Sequence, residues 1–219
     1  MQSADIARVL LAIALGYVMG AIPFGIIVPR LIGGPDPRTI GSGRTGGANV
    51  SRAVGFRWAL VSGLLDVAKA SVAVLVIVAL GGNSAAQVVA ALAAVVGHSR
   101  SVFIGFHGGR GVAPATGGAI VLAPIILLAI FPVFAITILI TRISSIGSLS
   151  ASLIGGVAMV VVAAVNHLDP VFFVYGVGVP GLIWLFHVDN IQRLLAGKER
   201  RIGTKAAPPS ATRTPGTDS

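Results

Sequence analysis

Cysteine is absent from this chain of 219 residues, which excludes disulfides, thiolate zinc sites and a cysteine acyl-enzyme. Acids are scarce: seven Asp and Glu stand against 16 Lys and Arg, for a net charge of +9. Charged residues of both signs make up only 11% of the chain, where a soluble domain carries about a quarter. That shortage, with a mean hydropathy of +0.93, excludes an ordinary soluble fold and describes an integral membrane protein. Four histidines and the few acids are what remains for any acid–base chemistry. The basic excess has to be placed along the chain before it means more than topology.

Apolar runs long enough to span a hydrocarbon core of about 30 Å cover residues 9–29, 58–80, 85–97, 112–140, 148–165 and 171–186. The first lacks the basic start of a cleaved leader and reads as a retained span. The 112–140 run is either one tilted span or two joined by a turn at Pro124. Cation placement favours two. The connections 30–57, 98–111 and 141–147 and the tail after 187 then share one face, with 14 of the 16 cations, as cytoplasmic segments should. Arg8 alone lies opposite, and Lys69 lies within a span. The expected fold is an all-α integral membrane protein: a seven-span helical bundle, amino terminus outside, carboxyl terminus cytoplasmic. Residues 1–201 form its membrane domain, and the basic Pro/Ser/Thr-rich residues 202–219 form a disordered tail. Trp58 and Trp184 fall at inner-leaflet depth.

The outer turns are minimal, so the polar sequence lies inside. The first inner connection carries Gly41-Ser42-Gly43 through Asn49 and Arg52. Glycines let successive backbone N–H groups face one concavity, and an arginine fork suits phosphate; the alternative is a flexible loop that meets anionic lipid. The second runs from His98 to Gly108-Gly109-Arg110-Gly111, a glycine-rich approach to a helix start, which is a second anion cradle. Ser144 and Ser145 add hydroxyls. His187, Asn190 and Arg193, spaced three apart, lie on one side of a short interfacial helix. Asp66 and Lys69 share a helix face and read as a structural ion pair. The physical reading is an inward-facing anion site at the bilayer.

Together these motifs resemble the bacterial integral-membrane acyl-phosphate:glycerol-3-phosphate acyltransferases, known as PlsY. The resemblance rests on Gly41-Ser42-Gly43, Asn49, Arg52 and Gly55; on Asp66 and Lys69; on Gly97-His98, Phe103, Phe106, Gly108-Gly109, Gly111, Val112 and Ala113; on Ser144, Ser145, Gly147 and Ser148; and on His187, Asn190-Ile191, Arg193-Leu194, Gly197 and Glu199. It implies acyl transfer from acyl phosphate to glycerol 3-phosphate, giving lysophosphatidate for phospholipid synthesis, in a multi-pass protein of the bacterial plasma membrane whose active site faces the cytoplasm. The expected partners are acyl phosphate, glycerol 3-phosphate and membrane lipid, with no nucleic acid, cofactor or metal.

The implied catalytic residues are Ser42, His98, Arg110 and Asn190. The implied substrate-binding residues are Gly41, Gly43, Asn49, Arg52, Gly108, Gly109, Gly111, Ser144, Ser145, His187, Arg193 and Glu199. The chain departs from the common family pattern at Arg44, Gly47, Ala48, Ser101, His107, Arg110 and Pro114. Those departures leave open a related acyltransferase with another acceptor. A carrier or binding protein for a phosphorylated solute or lipid is the reading from a different class, and the polar-poor outer turns weigh against alternating access.

Overall fold

The computed structural model describes residues 3–203, and every regular element among them is helical. The helices are α1 (Ser3–Ala21), α2 (Phe24–Leu31), α3 (Gly47–Val54), α4 (Phe56–Ala79), α5 (Ser84–Ser99), α6 (Val112–Leu122), α7 (Leu127–Thr141), α8 (Ser144–Val165), α9 (Val171–Phe186) and α10 (Val188–Leu195). Apart from residues 202 and 203, the tail assigned to 202–219 lies outside the described residues.

Two breaks shape the bundle. The first apolar run is not one continuous helix, as its hydropathy suggests, but bends between α1 and α2 at Ile22-Pro23. Proline has no N–H to donate and disfavours helix in the residue before it. The carbonyls so freed are used: Ser101 Oγ donates to Ala21 O at 2.5 Å and Lys69 Nζ to Ile22 O at 2.6 Å. The 112–140 run does divide as its charge pattern requires, into α6 and α7 around a 3-10 turn at Pro124–Ile126. Five stretches are long and apolar enough to cross a membrane, Asp5–Leu31, Phe56–Ala79, Ser84–Ile104, Pro124–Thr141 and Ser144–Val165. A sixth is added if α9 and α10, bent by 63° at His187, count as one. The 11 residues of α6 rise only about 16 Å.

Small residues draw the helices together, since between apolar helices in lipid it is close backbone packing that favours association. Along α1 and α5, Gly16 faces Ala90, Gly20 faces Ala94 and Gly97 faces Tyr17, so closely that an added Cβ would overlap backbone. Gly117 of α6 sits likewise on Val67 of α4, and Gly156 of α8 on Gly176 of α9. The core runs through Ala12, Val74, Val88, Met159, Tyr175 and Ile183. Helix α7 buries no residue and packs on α8 at the rim. The antiparallel order brings the ends of α5, α7 and α9 and the starts of α6 and α8 to one end of the bundle, where the polar loops gather.

Candidate active site

The first polar loop is held by Asn49, which lies in α3 and is 2% exposed. Its Nδ2 donates to the carbonyls of Pro37 (2.6 Å), Ile40 (2.9 Å) and Arg44 (2.9 Å), and its Oδ1 accepts from Ser42 N at 3.3 Å. Asn49 thus ties residues 37–44 into one turn. Gly41, at φ +56, lies against its Oδ1, and Gly43 is at φ +68. The Ser42 hydroxyl makes no hydrogen bond among the described residues, and Arg52 Nη1 donates to Ala48 O at 3.3 Å.

His98, on the last turn of α5, lies beneath the second glycine loop and is 7% exposed. Gly108 N donates to Ser99 O at 3.2 Å and Gly109 N to His98 O at 3.1 Å; a Cβ on Gly109 would overlap the imidazole at Nε2. Gly111, at φ +84, caps α6. The Nδ1 side of the ring meets Lys69 Nζ at 3.1 Å and Asp66 Oδ1 at 3.5 Å, and Lys69 and Asp66 pair at 2.6 Å. The pair expected to be merely structural therefore belongs to the surroundings of His98. Nδ1 thus sits between an ammonium and a carboxylate oxygen, and Nε2 faces the glycines.

The start of α8, the α9–α10 corner and the segment after α10 complete the cluster. Arg110 donates twice to Asp189, Nη1 to Oδ1 and Nη2 to Oδ2, each at 2.9 Å, and Nη1 also reaches Phe186 O at 3.2 Å. Arg193 Nη1 donates to Asp189 Oδ2 at 3.1 Å. Glu199 accepts from Ser145 Oγ (3.2 Å), Asn190 Nδ2 (2.6 Å) and Arg193 Nε (2.7 Å). A carboxylate does not bind phosphate directly, and Glu199 instead orients three donors. Asn190 Oδ1 and Arg193 Nη2 are buried without partners among the described residues. Ser144 opens α8, half-buried, with its hydroxyl unbonded.

Five arginines, 44, 52, 110, 193 and 200, act electrostatically on one another here, against the two carboxylates Asp189 and Glu199. Burial raises the Asp189 carboxyl, but hydrogen bonding and charge from Arg110, then Arg193, outweigh it and hold the group below its usual range. Burial pulls the Arg110 guanidinium down, and the charges of Arg44 and Arg193 add to that. His187, just beyond α9, is pushed down to about 4, chiefly by burial, while its Nδ1 bonds Ile183 O at 2.7 Å. At neutral pH its Nε2 is therefore a lone-pair acceptor. Because this value lies below the free imidazole's of about 6.5, the unfolded chain takes the proton first as pH falls. Stability of the detergent-solubilised protein is expected to be level above pH 6.5 and to decline toward pH 4. His187→Gln should flatten that part of a thermal-unfolding curve measured against pH.

A narrow apolar recess of about 40 Å³ begins beside these groups, lined by Val112, Ala115, Ala151, Met159, Tyr175 and Ile183 among others. Val112 follows Arg110 by two residues, and the Ile183 carbonyl holds His187. Of the expected site residues, Arg110, Arg193, Asn190, Glu199 and Ser145 are joined in one hydrogen-bonded cluster through Asp189 and Glu199, with Arg52 near Glu199, while His98 sits under its glycine loop. Asp66, Lys69 and Asp189 were not among the expected site residues. For the first two, the cost of an intramembrane charge was the available signal.

The arrangement defines an integral-membrane helical protein with a cluster of arginines, glycines and hydroxyls at one end and an apolar recess next to it. A family model described as glycerol-3-phosphate acyltransferase matches residues 10–197, and the chain belongs to that family. A glycerol-3-phosphate acyltransferase of Roseiflexus sp. (strain RS-1) is 41% identical over 199 residues, covering 90% of this chain and 95% of the relative. That of Agrobacterium fabrum is also 41% identical, covering 91% and 94%. The crystal structure of PlsY (YgiH), an integral membrane glycerol 3-phosphate acyltransferase, in its glycerol 3-phosphate form superposes with a TM-score of 0.80 at 33% identity, covering 90% of this chain and 96% of that one. Its lysophosphatidic acid form gives 0.79 at 32% identity.

Proposed function

We propose that the protein transfers a fatty acyl group from acyl phosphate to the 1-hydroxyl of glycerol 3-phosphate, giving 1-acylglycerol 3-phosphate and inorganic phosphate for membrane phospholipid synthesis. The observation that carries this reading is the convergence of four separate polar segments, rich in arginine, glycine and hydroxyls, beside an apolar recess. Two phosphates and an acyl chain are what such a site is suited to hold. The recess takes the chain, and the Arg110 end takes the reacting head.

In this reading the hydroxyl oxygen attacks the acyl carbonyl carbon, the C–O bond to phosphate breaks, and the hydroxyl proton passes to a phosphate oxygen. The donor is already an activated anhydride, so holding the two anions together and stabilising the departing phosphate are the main tasks. Arg110, Ser42 and the N–H group of Gly111 serve the acyl phosphate, while Gly108 and Gly109, bonded to the end of α5, hold the loop in place. Arg52, Ser144 and Arg193 serve the acceptor's phosphate, and Ser145 holds Glu199. Asn190 Oδ1, buried and unbonded, accepts from the attacking hydroxyl, with His187 Nε2 as its neighbour. Asn49, with Gly41 and Gly43, shapes the first loop, and Glu199 aligns Ser145, Asn190 and Arg193. His98, buried with its Nε2 edge under Gly109 and its Nδ1 on Lys69 and Asp66, is a positioning residue rather than the base.

The same reading sets seven crossings, α1–α2, α4, α5, α6, α7, α8 and α9, in the bacterial plasma membrane, with the amino terminus outside and the site facing the cytoplasm. The balance of cations supports that orientation. The decisive experiment is to incubate purified protein with palmitoyl phosphate and glycerol 3-phosphate. Lysophosphatidate and an equivalent of phosphate are expected; absence of product, with solute flux in proteoliposomes, would reverse the assignment in favour of a carrier.

A further inference from the structure

The Arg44 side chain makes no hydrogen bond or ion pair among the described residues, yet its Nη1 is buried. Its backbone is not free to swing away. Arg44 O is held by Asn49 Nδ2 at 2.9 Å, and the next residue, Thr45, is 2% exposed and packs on Gly25 of α2. The charge of Arg44 is felt by Arg110, as is that of Arg193 on the other chain segment. Arg193 likewise has a buried nitrogen, Nη2, without an acceptor. Both nearby carboxylates are already engaged, Asp189 with Arg110 and Arg193, and Glu199 with Arg193, Asn190 and Ser145.

A guanidinium cannot shed its charge in a protein, and a buried donor left unmade is costly. A buried Arg44 Nη1 therefore suits an acceptor from outside the chain. Because Arg44 and Arg193 both bear on Arg110, that acceptor has to satisfy several forks at once, which suits a tetrahedral dianion with oxygens in several directions. We propose that Arg44 is a direct phosphate ligand of this site, acting with Arg110 on one dianionic phosphate and raising the affinity for the substrate that carries it. The proposal rests on the phosphate-handling reading of the site, though not on the reaction, and concerns a position where this chain departs from the usual family pattern.

The test compares Arg44→Gln and Arg44→Lys with wild type in detergent, using inorganic phosphate as the probe in thermal-shift titrations and steady-state kinetics as the second readout. Arg44→Gln is expected to weaken phosphate binding by about tenfold and to raise KM for one substrate by a similar factor, with kcat little changed. Arg44→Lys should fall between, since it keeps the charge without the fork. A KM effect on acyl phosphate alone would place the contact on the donor, and one on glycerol 3-phosphate alone on the acceptor. Unchanged phosphate affinity and unchanged KM values in both variants would overturn the proposal. So would a lower kcat and melting temperature with phosphate binding intact, because that is the pattern of a structural arginine. If Arg44→Gln does not fold, Arg44→Lys decides: weaker phosphate binding supports the contact, and wild-type binding with wild-type KM values refutes it. If wild type transfers no acyl group but its phosphate response is lost in Arg44→Gln, the proposed reaction fails while the ligand assignment stands.

Discussion

Arg110→Ala is expected to lower acyl transfer by about two to three orders of magnitude, the scale seen when a donor to developing transition-state charge is removed. Arg110 stands where the apolar recess begins, is only 13% exposed, and presents its full fork. The loss should fall on kcat/KM rather than on folding, because Asp189 keeps Arg193 at 3.1 Å and is not left as an orphan charge. Arg110→Lys should retain part of the activity, since it keeps the charge but loses the bidentate geometry. The check is kcat/KM for palmitoyl phosphate and glycerol 3-phosphate beside a thermal-unfolding measurement; wild-type activity in a folded Arg110→Ala protein would remove Arg110 from the site.

Lys69→Met is expected to be the most destabilising single change, by about 3–5 kcal/mol, because it leaves the Asp66 carboxylate buried without its cation. The pair is almost inaccessible, with side-chain exposures of 2% and 5%. Lys69 also satisfies the Ile22 carbonyl freed by the break between α1 and α2 and touches His98 Nδ1. An Asp66→Leu/Lys69→Met double variant should recover much of the stability, since buried pairs are often replaceable by apolar side chains. It should not recover activity if the pair's service is to hold His98 beneath Gly109. Thermal unfolding in detergent separates the two effects. A double variant that regains both stability and full acyl transfer would show that the orientation of His98 is dispensable.

Much of the fold was legible in residue order. Apolar runs marked the helices, and Pro124 marked the break between α6 and α7. The break at Ile22-Pro23 was not anticipated, because hydropathy runs through it unchanged; only Ser101 and Lys69, distant in sequence, make that break tolerable by bonding its freed carbonyls. The site motifs were legible because glycine, arginine and serine are out of place in so apolar a chain. Their division of labour was not. Asn49 looks like a ligand in the motif, but its amide is occupied by the carbonyls of its own loop. Glu199 looks like a substrate-binding residue in the motif, but in the fold it accepts hydrogen bonds from Ser145, Asn190 and Arg193.

By itself the sequence determined the membrane class, the helix positions, the grouping of cations between spans and the family, since all of these depend on composition, period and motif order. Tertiary structure alone decided which groups meet. Spacing of three on a helix says that Asp66 and Lys69 share a face, but not that the face meets His98 on α5. Motif order singles out Arg110 but not Asp189, its partner 79 residues away. They pair because the close glycine contacts of the bundle bring the start of α6 and the α9–α10 corner to one end. Side-chain partners across that distance follow from how helices pack, which no local pattern of residues encodes.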